Sequence, residues 1–499
     1  MPGLPFLTAD AVGRVRDDLA AAAYTVDGVQ AALGAVGAAA LGRNETTPGL
    51  RATGGGSPLE TLVRLWPLQA AVPGTAAAAA LPASLDALLD GGLLTRTAEG
   101  AVLAIVDLRP YADDSGDWWV CADLTPGLDG VLAPVPADHV LGASSASSTL
   151  AQLTVRPEVG RALDLGTGCG VQALHLSRHA RSVVATDLSG RAVALAGLTA
   201  ALNLLGLDLR RGDLYEPVAG ERFDLVVSNP PFVVSLPQSG ERHVYRDSGL
   251  AGDEVSRRVV VEGAGLLADG GWLQVLANWV HLRGTDWRDR VAGWVQATGC
   301  DAWALQREVL DPAAYVELWL RDSGEVSLPD YRERYDRWLG WFDDQGVEAV
   351  GFGWVTLRRT GADDPAVRVE DWPHAVEQPL APTVRATLER AEVLRACRDD
   401  GPLLARKFAV APDVVQEQVG PPGAEDPEHV VLRQRRGLLR ARQVGTAEAG
   451  LVGACDGTVP VEVLLDAVAA VLGADRAALR AELLPRVREL VAEGFLLPV

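Results

Sequence analysis

Lysine is nearly missing from this 499-residue chain: of 45 basic residues only Lys407 is lysine, and methionine occurs only at position 1. That bias reflects coding composition and carries no chemistry. Cysteine is sparse as well. Cys121, Cys169, Cys300, Cys397 and Cys455 stand at least 48 residues apart, so none has the short spacing of a zinc or redox pair. No metal site is expected, and a reducing cytoplasm is the expected location. The opening MPGLPFLTADAVGRVRDD lacks a basic segment followed by an apolar run, and the alanine-rich stretch 70–81 is broken by Pro73 and Gly74 and stopped by Pro82. Neither export nor a membrane span is expected. Positive charge is in deficit: 66 acidic residues give a net charge of −21, a field that repels polyanions and argues against broad nucleic-acid coating. Segments 1–150, 151–360 and 361–499 are each net acidic, so no region is a basic domain.

What is present suits a folded protein. Hydrophobic residues make up 48% and charged residues 22%, which excludes a disordered or fibrous chain. The length suggests roughly three folded units at about 100–200 residues each. Residues 10–42 carry apolar residues at helical spacing, and a Gly/Thr/Pro-rich connector, TTPGLRATGGGSP, covers 46–58. Next come a helix LETLVRLWPL, a helix SLDALLDGG with Ser84 as its expected cap, and two apolar runs around the turn 98–100, a winged-helix-like order. It reads either as a nucleic-acid or protein docking module or as an accessory domain packed on its neighbour.

From about residue 144, short β-rich runs alternate with helical segments: RALDLG, SVVATD, FDLVVSN, GGWLQVLAN, CDAWALQREV and VEAVGFGWVTLRR. Such alternation implies an α/β fold with a mainly parallel sheet covered on both faces. A helical, amphipathic segment at 313–346 reads as an insertion before the final strand. The tail from Gly361 opens with a Pro/Asp/Glu-rich connector and includes the run Arg433, Arg435, Arg436, Arg440 and Arg442. It ends in another winged-helix-like stretch from about 430, with Thr458 and Asp475 as expected caps. The expected domains are therefore 1–138, 139–362 and 363–499.

The sharpest motif is Asp164-Leu165-Gly166-Thr167-Gly168-Cys169-Gly170, at the end of one apolar run and before a helical segment. Glycines at such a turn let a ligand approach the backbone, and a helix N-terminus offers unpaired N–H groups. Position 171 is valine, so the dinucleotide pattern G-x-G-x-x-G fails and a nicotinamide oxidoreductase is disfavoured. Asp187, ending the next run about twenty residues on, can accept both hydroxyls of a ribose or cap the following helix. Asp213, in the stretch RRGDLYEP, follows the expected third strand and either accepts from an adenine amino group or belongs to a turn. The fourth strand, FDLVVS, ends in Asn229-Pro230-Pro231-Phe232. The prolines remove two donors and stiffen the loop, Asn229 adds a carbonyl acceptor and Phe232 a flat apolar face, a set suited to a planar NH2.

Residues 140–360 resemble a class I S-adenosylmethionine-dependent methyltransferase with the Asn-Pro-Pro-aromatic signature, most similar to HemK-type glutamine amide methyltransferases and to amino-methyltransferases of RNA and DNA bases. The resemblance implies a Rossmann-like sheet flanked by the winged-helix-like ends, with S-adenosyl-L-methionine as cofactor. It implies that Asp164, Gly166, Thr167, Gly168 and Gly170 line the methionine part, Asp187 and Leu188 the ribose, and Asp213 and Leu214 the adenine. Asn229 and Pro230 would hold the acceptor nitrogen, with Phe232 stacked on it. HemK-type enzymes usually have tyrosine where Phe232 stands, and their N-terminal domain differs, so the motif specifies a planar nitrogen rather than its parent molecule. The expected activity is methyl transfer to an amide or exocyclic amino nitrogen of a protein, RNA or DNA. A non-catalytic, cofactor-sensing regulatory protein is the alternative. The serine-rich stretch 139–148 either touches cofactor or substrate or is a capped helix, 241–247 forms the acceptor rim or a solvated loop, and the Arg433–Arg442 run holds phosphates or is a solvated strand face.

Overall fold

The computed structural model describes residues 4–114, 116–131, 135–236, 249–422 and 427–499. Its centre is an eight-stranded sheet. The strands are β1 (Val159–Leu165), β2 (Ala180–Asp187), β3 (Leu207–Arg211), β4 (Phe223–Ser228), β5 (Leu267–Leu282), β6 (Asp301–Leu310), β7 (Val347–Arg358) and β8 (Val367–Asp371). Their order across the sheet is β8-β6-β7-β5-β4-β1-β2-β3. Pairing is parallel throughout, except that β7 runs antiparallel to β5 and β6 on its two sides. The mainly parallel α/β sheet expected from the alternating pattern is therefore the core of the molecule.

Successive residues of β1 face opposite sides, as the period of two requires. Leu163 and Leu165 enter a core completed by α4 (Glu254–Ala264) and α5 (Trp287–Gln296), while Ala162 enters one shared with α1 (Ser145–Leu153) and α2 (Val171–Leu176). The fully buried strands are continuous apolar runs because both faces are covered. Between β2 and β3 lies α3 (Gly190–Leu202), and the expected insertion forms α6 (Pro312–Asp322) and α7 (Tyr331–Gln345) between β6 and β7. β7 is not the last strand. The Pro/Asp/Glu-rich connector supplies β8, parallel to β6, so the sheet runs past residue 362.

The N-terminal region begins with helices Ala9–Ala21 and Val26–Leu41. The stretch read as a connector holds a further helix, Thr47–Ala52, with Pro at its start. After Pro58–Leu65, Gly74–Ala80 and Leu85–Asp90 come the antiparallel pair Leu94–Arg96 with Val102–Ala104 and the hairpin Val106–Asp113 with Gly116–Asp123. Ser84 stands at a helix start but does not cap it: its hydroxyl donates to Asp18 at 2.6 Å, a bond that ties two helices instead. The hairpin docks on α3, where Cys121 N–H donates to Thr199 Oγ1 at 3.0 Å and Trp119 N–H to Asn203 Oδ1 at 3.0 Å. One core runs from Leu7 to Val140 and on into Val171, Leu174, Leu195 and Leu198 of α2 and α3.

In the C-terminal region, helix Ala381–Ala396 packs Leu388 and Val384 on the sheet beside Trp303 and Trp354. A three-stranded antiparallel sheet (Val414–Val419, His429–Gln434, Ala441–Val444) precedes helices Thr446–Ala454, Val461–Leu472 and Arg476–Glu493. Asp475 caps the last of these, accepting from Ala478 N–H at 2.9 Å. Thr458 caps nothing; it lies before Pro460 and donates its hydroxyl to Asp456. Among the described residues no single helix is long and apolar enough to cross a membrane.

Candidate functional site

Register places the site. Leu165 at the end of β1 pairs with Thr186 on one side and Ser228 on the other, so Gly166, Asp187 and Asn229, each the next residue, stand at one level at the carboxyl end of the sheet. Open α/β sheets bind ligands in the crevice beyond these carboxyl ends. A cavity of about 320 Å³ occupies that position here. Its walls include Gly166, Thr167, Gly168, Asp187, Leu188, Asp213, Leu214, Asn229 and Pro230. The fold thus brings nine of the twelve expected site residues to one cavity.

Three expected residues lie just outside it. Asp164 is buried beneath the glycine turn, and its Oδ2 accepts from the Thr167 hydroxyl at 2.6 Å and from Ala173 N–H at 3.0 Å. Through Oδ2 it holds the turn on α2, while its Oδ1 is buried with no hydrogen-bond partner among the described residues. Burial pushes its carboxyl up to about 7, against the lowering by those two donors, and the charge of Asp187 adds to the rise. Gly170 has φ +86, and a Cβ there would meet Ala196 at 3.4 Å, so this glycine lets α3 pack against the turn. Phe232 lies behind the loop, edge-on to Trp319 of α6 at 6.3 Å between ring centres.

Gly166 and Gly168 are the glycines of the turn that line the cavity. Both have positive φ (+73 and +55), and a Cβ on Gly168 would meet nothing within 4 Å, so each bend leaves backbone open to the cavity. The turn is pinned by Thr186 O, which accepts from the N–H groups of Gly166 and Thr167 at 2.9 Å each, and by Asp187 Oδ2, which accepts from Gly168 N–H at 3.0 Å. Asp187 Oδ1 takes Ser189 N–H at 2.8 Å, while Ser189 itself caps α3. The capping role weighed for Asp187 therefore belongs to Ser189. Burial raises the Asp187 carboxyl above its ordinary value, and the backbone N–H groups of Ser189 and Gly168 oppose this.

On the opposite wall, Ser228 Oγ donates to Leu165 O at 2.8 Å and ties the end of β4 to that of β1. Asn229 Oδ1 is buried and has no hydrogen-bond partner among the described residues. A buried unsatisfied carbonyl costs about 1–3 kcal/mol, a cost that a donor bound in the cavity would relieve. The chain after the prolines is held by the insertion: Tyr315 of α6, fully buried, accepts from Val234 N–H at 2.8 Å and from Asn278 Nδ2 at 3.0 Å. Val233 and Val234 pack with Val316, Trp338 and Phe342.

The stretch 139–148 opens a capped helix and also borders the cavity. Ser144 caps α1, accepting from Ser147 N–H at 3.2 Å, and His139, Val140, Leu141, Gly142, Ser144 and Ser147 line the cavity. Gln172, Val255 and Arg258 line it too and were missed by sequence reasoning. Gln172 is the second residue of α2, where its Nε2 donates to Ser147 O at 2.7 Å; its place right after the glycine turn was the available signal. Val255 and Arg258 sit on α4, far along the chain, with no local signal. Segment 241–247 lies outside the described residues.

The arginine run is partly paired and partly solvated: Arg433 is exposed even in its ion pair, and Arg436 lies 3.9 Å from Glu377. Arg433 pairs with Glu417 at 2.7 Å, Arg440 with Glu370 at 2.8 Å, and Arg442 with Glu448, Glu489 and Glu493. Arg435 and Arg436 are exposed.

Residues 143–282 match the family described as Methyltransferase small domain, and residues 21–105 and 385–498 each match a family described only as a domain of unknown function. The chain is similar to the Release factor glutamine methyltransferase of Xylella fastidiosa, 40% identical over 24% of this chain and 47% of that protein. It is 32% identical to the protein of the same name from Escherichia coli, over 36% of this chain and 67% of the relative. It is 29% identical to the Ribosomal RNA small subunit methyltransferase C of Alcanivorax borkumensis, over 42% of this chain and 61% of the relative. The chain spans about half to two thirds of the length of these relatives.

Proposed function

We propose that this chain, which belongs to the class I S-adenosylmethionine-dependent methyltransferases, methylates a planar amide or exocyclic amino nitrogen of a macromolecule, a protein glutamine or a nucleobase. The observation that carries this reading is Asn229 Oδ1, a buried carbonyl oxygen on the cavity wall with no partner among the described residues.

The residues present fit S-adenosyl-L-methionine. Gly166, Thr167 and Gly168 offer open backbone for its methionine part, Asp187 and Leu188 stand where a ribose would lie, and Asp213 and Leu214 form the end suited to adenine. Bound there, the cofactor supplies an electrophilic methyl group on sulfur. The chain's own contribution is alignment and polarisation. Asn229 Oδ1 and the Pro230 carbonyl accept the two hydrogens of the incoming NH2, which orients the nitrogen and raises electron density on it. Pro230 and Pro231 keep those acceptors in place with few backbone freedoms, and α6 braces the loop from behind through Tyr315 and Trp319. The acceptor nitrogen sheds its proton to solvent once the new bond has formed, so no strong base is needed in the cavity.

Purified protein incubated with methyl-labelled cofactor and cell lysate, then digested separately with protease and nuclease, tests the reading. Label released by one digestion alone identifies the acceptor as protein or nucleic acid. Cofactor binding without any labelled macromolecule would favour the cofactor-sensing alternative.

A further inference from the structure

We infer that Asp123, a residue of the N-terminal hairpin outside the cavity, is a positioning residue for the cofactor. The inference rests on reading the cavity as the S-adenosylmethionine site. Asp123 ends strand Gly116–Asp123, and its carboxylate joins three parts of the chain that are far apart in sequence. Arg191 of α3 donates from Nε to Oδ1 at 3.0 Å and to Oδ2 at 2.9 Å, and from Nη2 to Oδ1. Val140 N–H donates to Oδ2 at 2.8 Å, and the backbone N–H of Asp123 donates in return to Val140 O at 3.0 Å. The ring of His139 lies 3.9 Å away.

Both ends of this bridge flank the cavity. His139, Val140, Leu141 and Gly142 form one wall of it, and Ser189 and Ala192, on either side of Arg191, form part of another. Segment 139–144 belongs to no helix or strand, so its position depends on bonds such as these. A loop left free would lose backbone entropy at every residue that a ligand orders. Asp123 removes that loss by fixing the segment before the ligand arrives, and the Arg191 fork fixes Asp123. The N-terminal domain thereby becomes part of the cofactor site without lining it.

The test compares full-length wild type with Asp123→Asn and Arg191→Gln, using S-adenosylhomocysteine as the titrant at a temperature where circular dichroism shows each protein folded. Global destabilisation leaves the affinity of molecules that remain folded unchanged, whereas a loosened wall does not. Asp123→Asn is expected to bind about tenfold more weakly, with faster ligand release and faster amide exchange at 140–142. Arg191→Gln keeps the Val140 bond and is expected to lose about threefold. A folded Asp123→Asn that binds as tightly as wild type overturns the inference; should that variant not fold, wild-type affinity in Arg191→Gln does the same. Absence of binding by wild type overturns instead the methyltransferase reading on which the inference rests.

Discussion

Asp187 Oδ2 accepts the N–H of Gly168 at 3.0 Å, so the carboxylate proposed to meet a ribose also holds the turn proposed to meet the methionine part of the cofactor. Replacing Asp187 by Ala removes both. Affinity for S-adenosylhomocysteine is expected to fall by at least the roughly 1.5–3 kcal/mol typical of hydrogen bonds to charged groups. Asp187→Asn keeps an acceptor for Gly168 and should lose less. Calorimetry on the two variants checks this, and equal affinity of Asp187→Ala and wild type would remove Asp187 from the site.

Asn229→Ala removes the orphan carbonyl while leaving both prolines and the glycine turn. Cofactor affinity should survive, and single-turnover methylation of the native acceptor should slow roughly 10²–10³-fold, the effect of losing one polarising group in a preorganised site. Phe232→Tyr should be far milder, since the ring stays against Trp319. A near-wild-type rate in Asn229→Ala would end the nitrogen-acceptor reading.

Asp164 makes stability depend on pH. Its folded carboxyl titrates near 7 and its ordinary value is 3.8, so the folded state resists ionisation that the unfolded chain accepts. Stability associated with this group is complete below about pH 4 and is lost as pH rises through 7. Asp164→Asn is neutral throughout and can still accept from Thr167 and Ala173. The variant should therefore gain on wild type across that window, by up to about 4 kcal/mol once pH has passed the folded value of about 7. Urea unfolding at pH 4, 6 and 8 measures it; a constant difference would show that Asp164 ionises freely in the fold.

With Arg433, Arg440 and Arg442 paired to glutamates, the C-terminal run offers few charges to a phosphate backbone. Replacing Arg435 and Arg436 together by Ala should leave any RNA binding and its salt slope unchanged. Weaker binding with a flatter slope in the double variant would show that these two arginines hold phosphates.

The central fold was legible because its strands are apolar runs of strand length bounded by glycine, aspartate and asparagine, and the site because its residues fall directly after three such runs. What escaped reading depends on packing across long separations. β8 lies in a stretch whose proline and acidic residues read as connector, and only its place beside β6 makes it a strand. Ser84 has the chemistry of a cap, yet Asp18, brought next to it by tertiary structure, takes its hydroxyl. Asp164 and Gly170 belong to the motif but serve the turn from below, a distinction between facing a ligand and supporting what faces it that spacing alone does not carry. Arg258 entered the cavity wall from a helix with no mark on it.

Leu310 and Val350, at the two ends of the insertion, are paired partners in the sheet. The segment between them is thus a closed excursion whose base is already fastened, and changing the length of the turn between its two helices costs little beyond a slowly growing loop entropy. On the proposed methyltransferase reading, the cofactor cavity and this excursion come from separate stretches of chain, which makes 311–346 the segment to graft when redirecting the protein to a new acceptor.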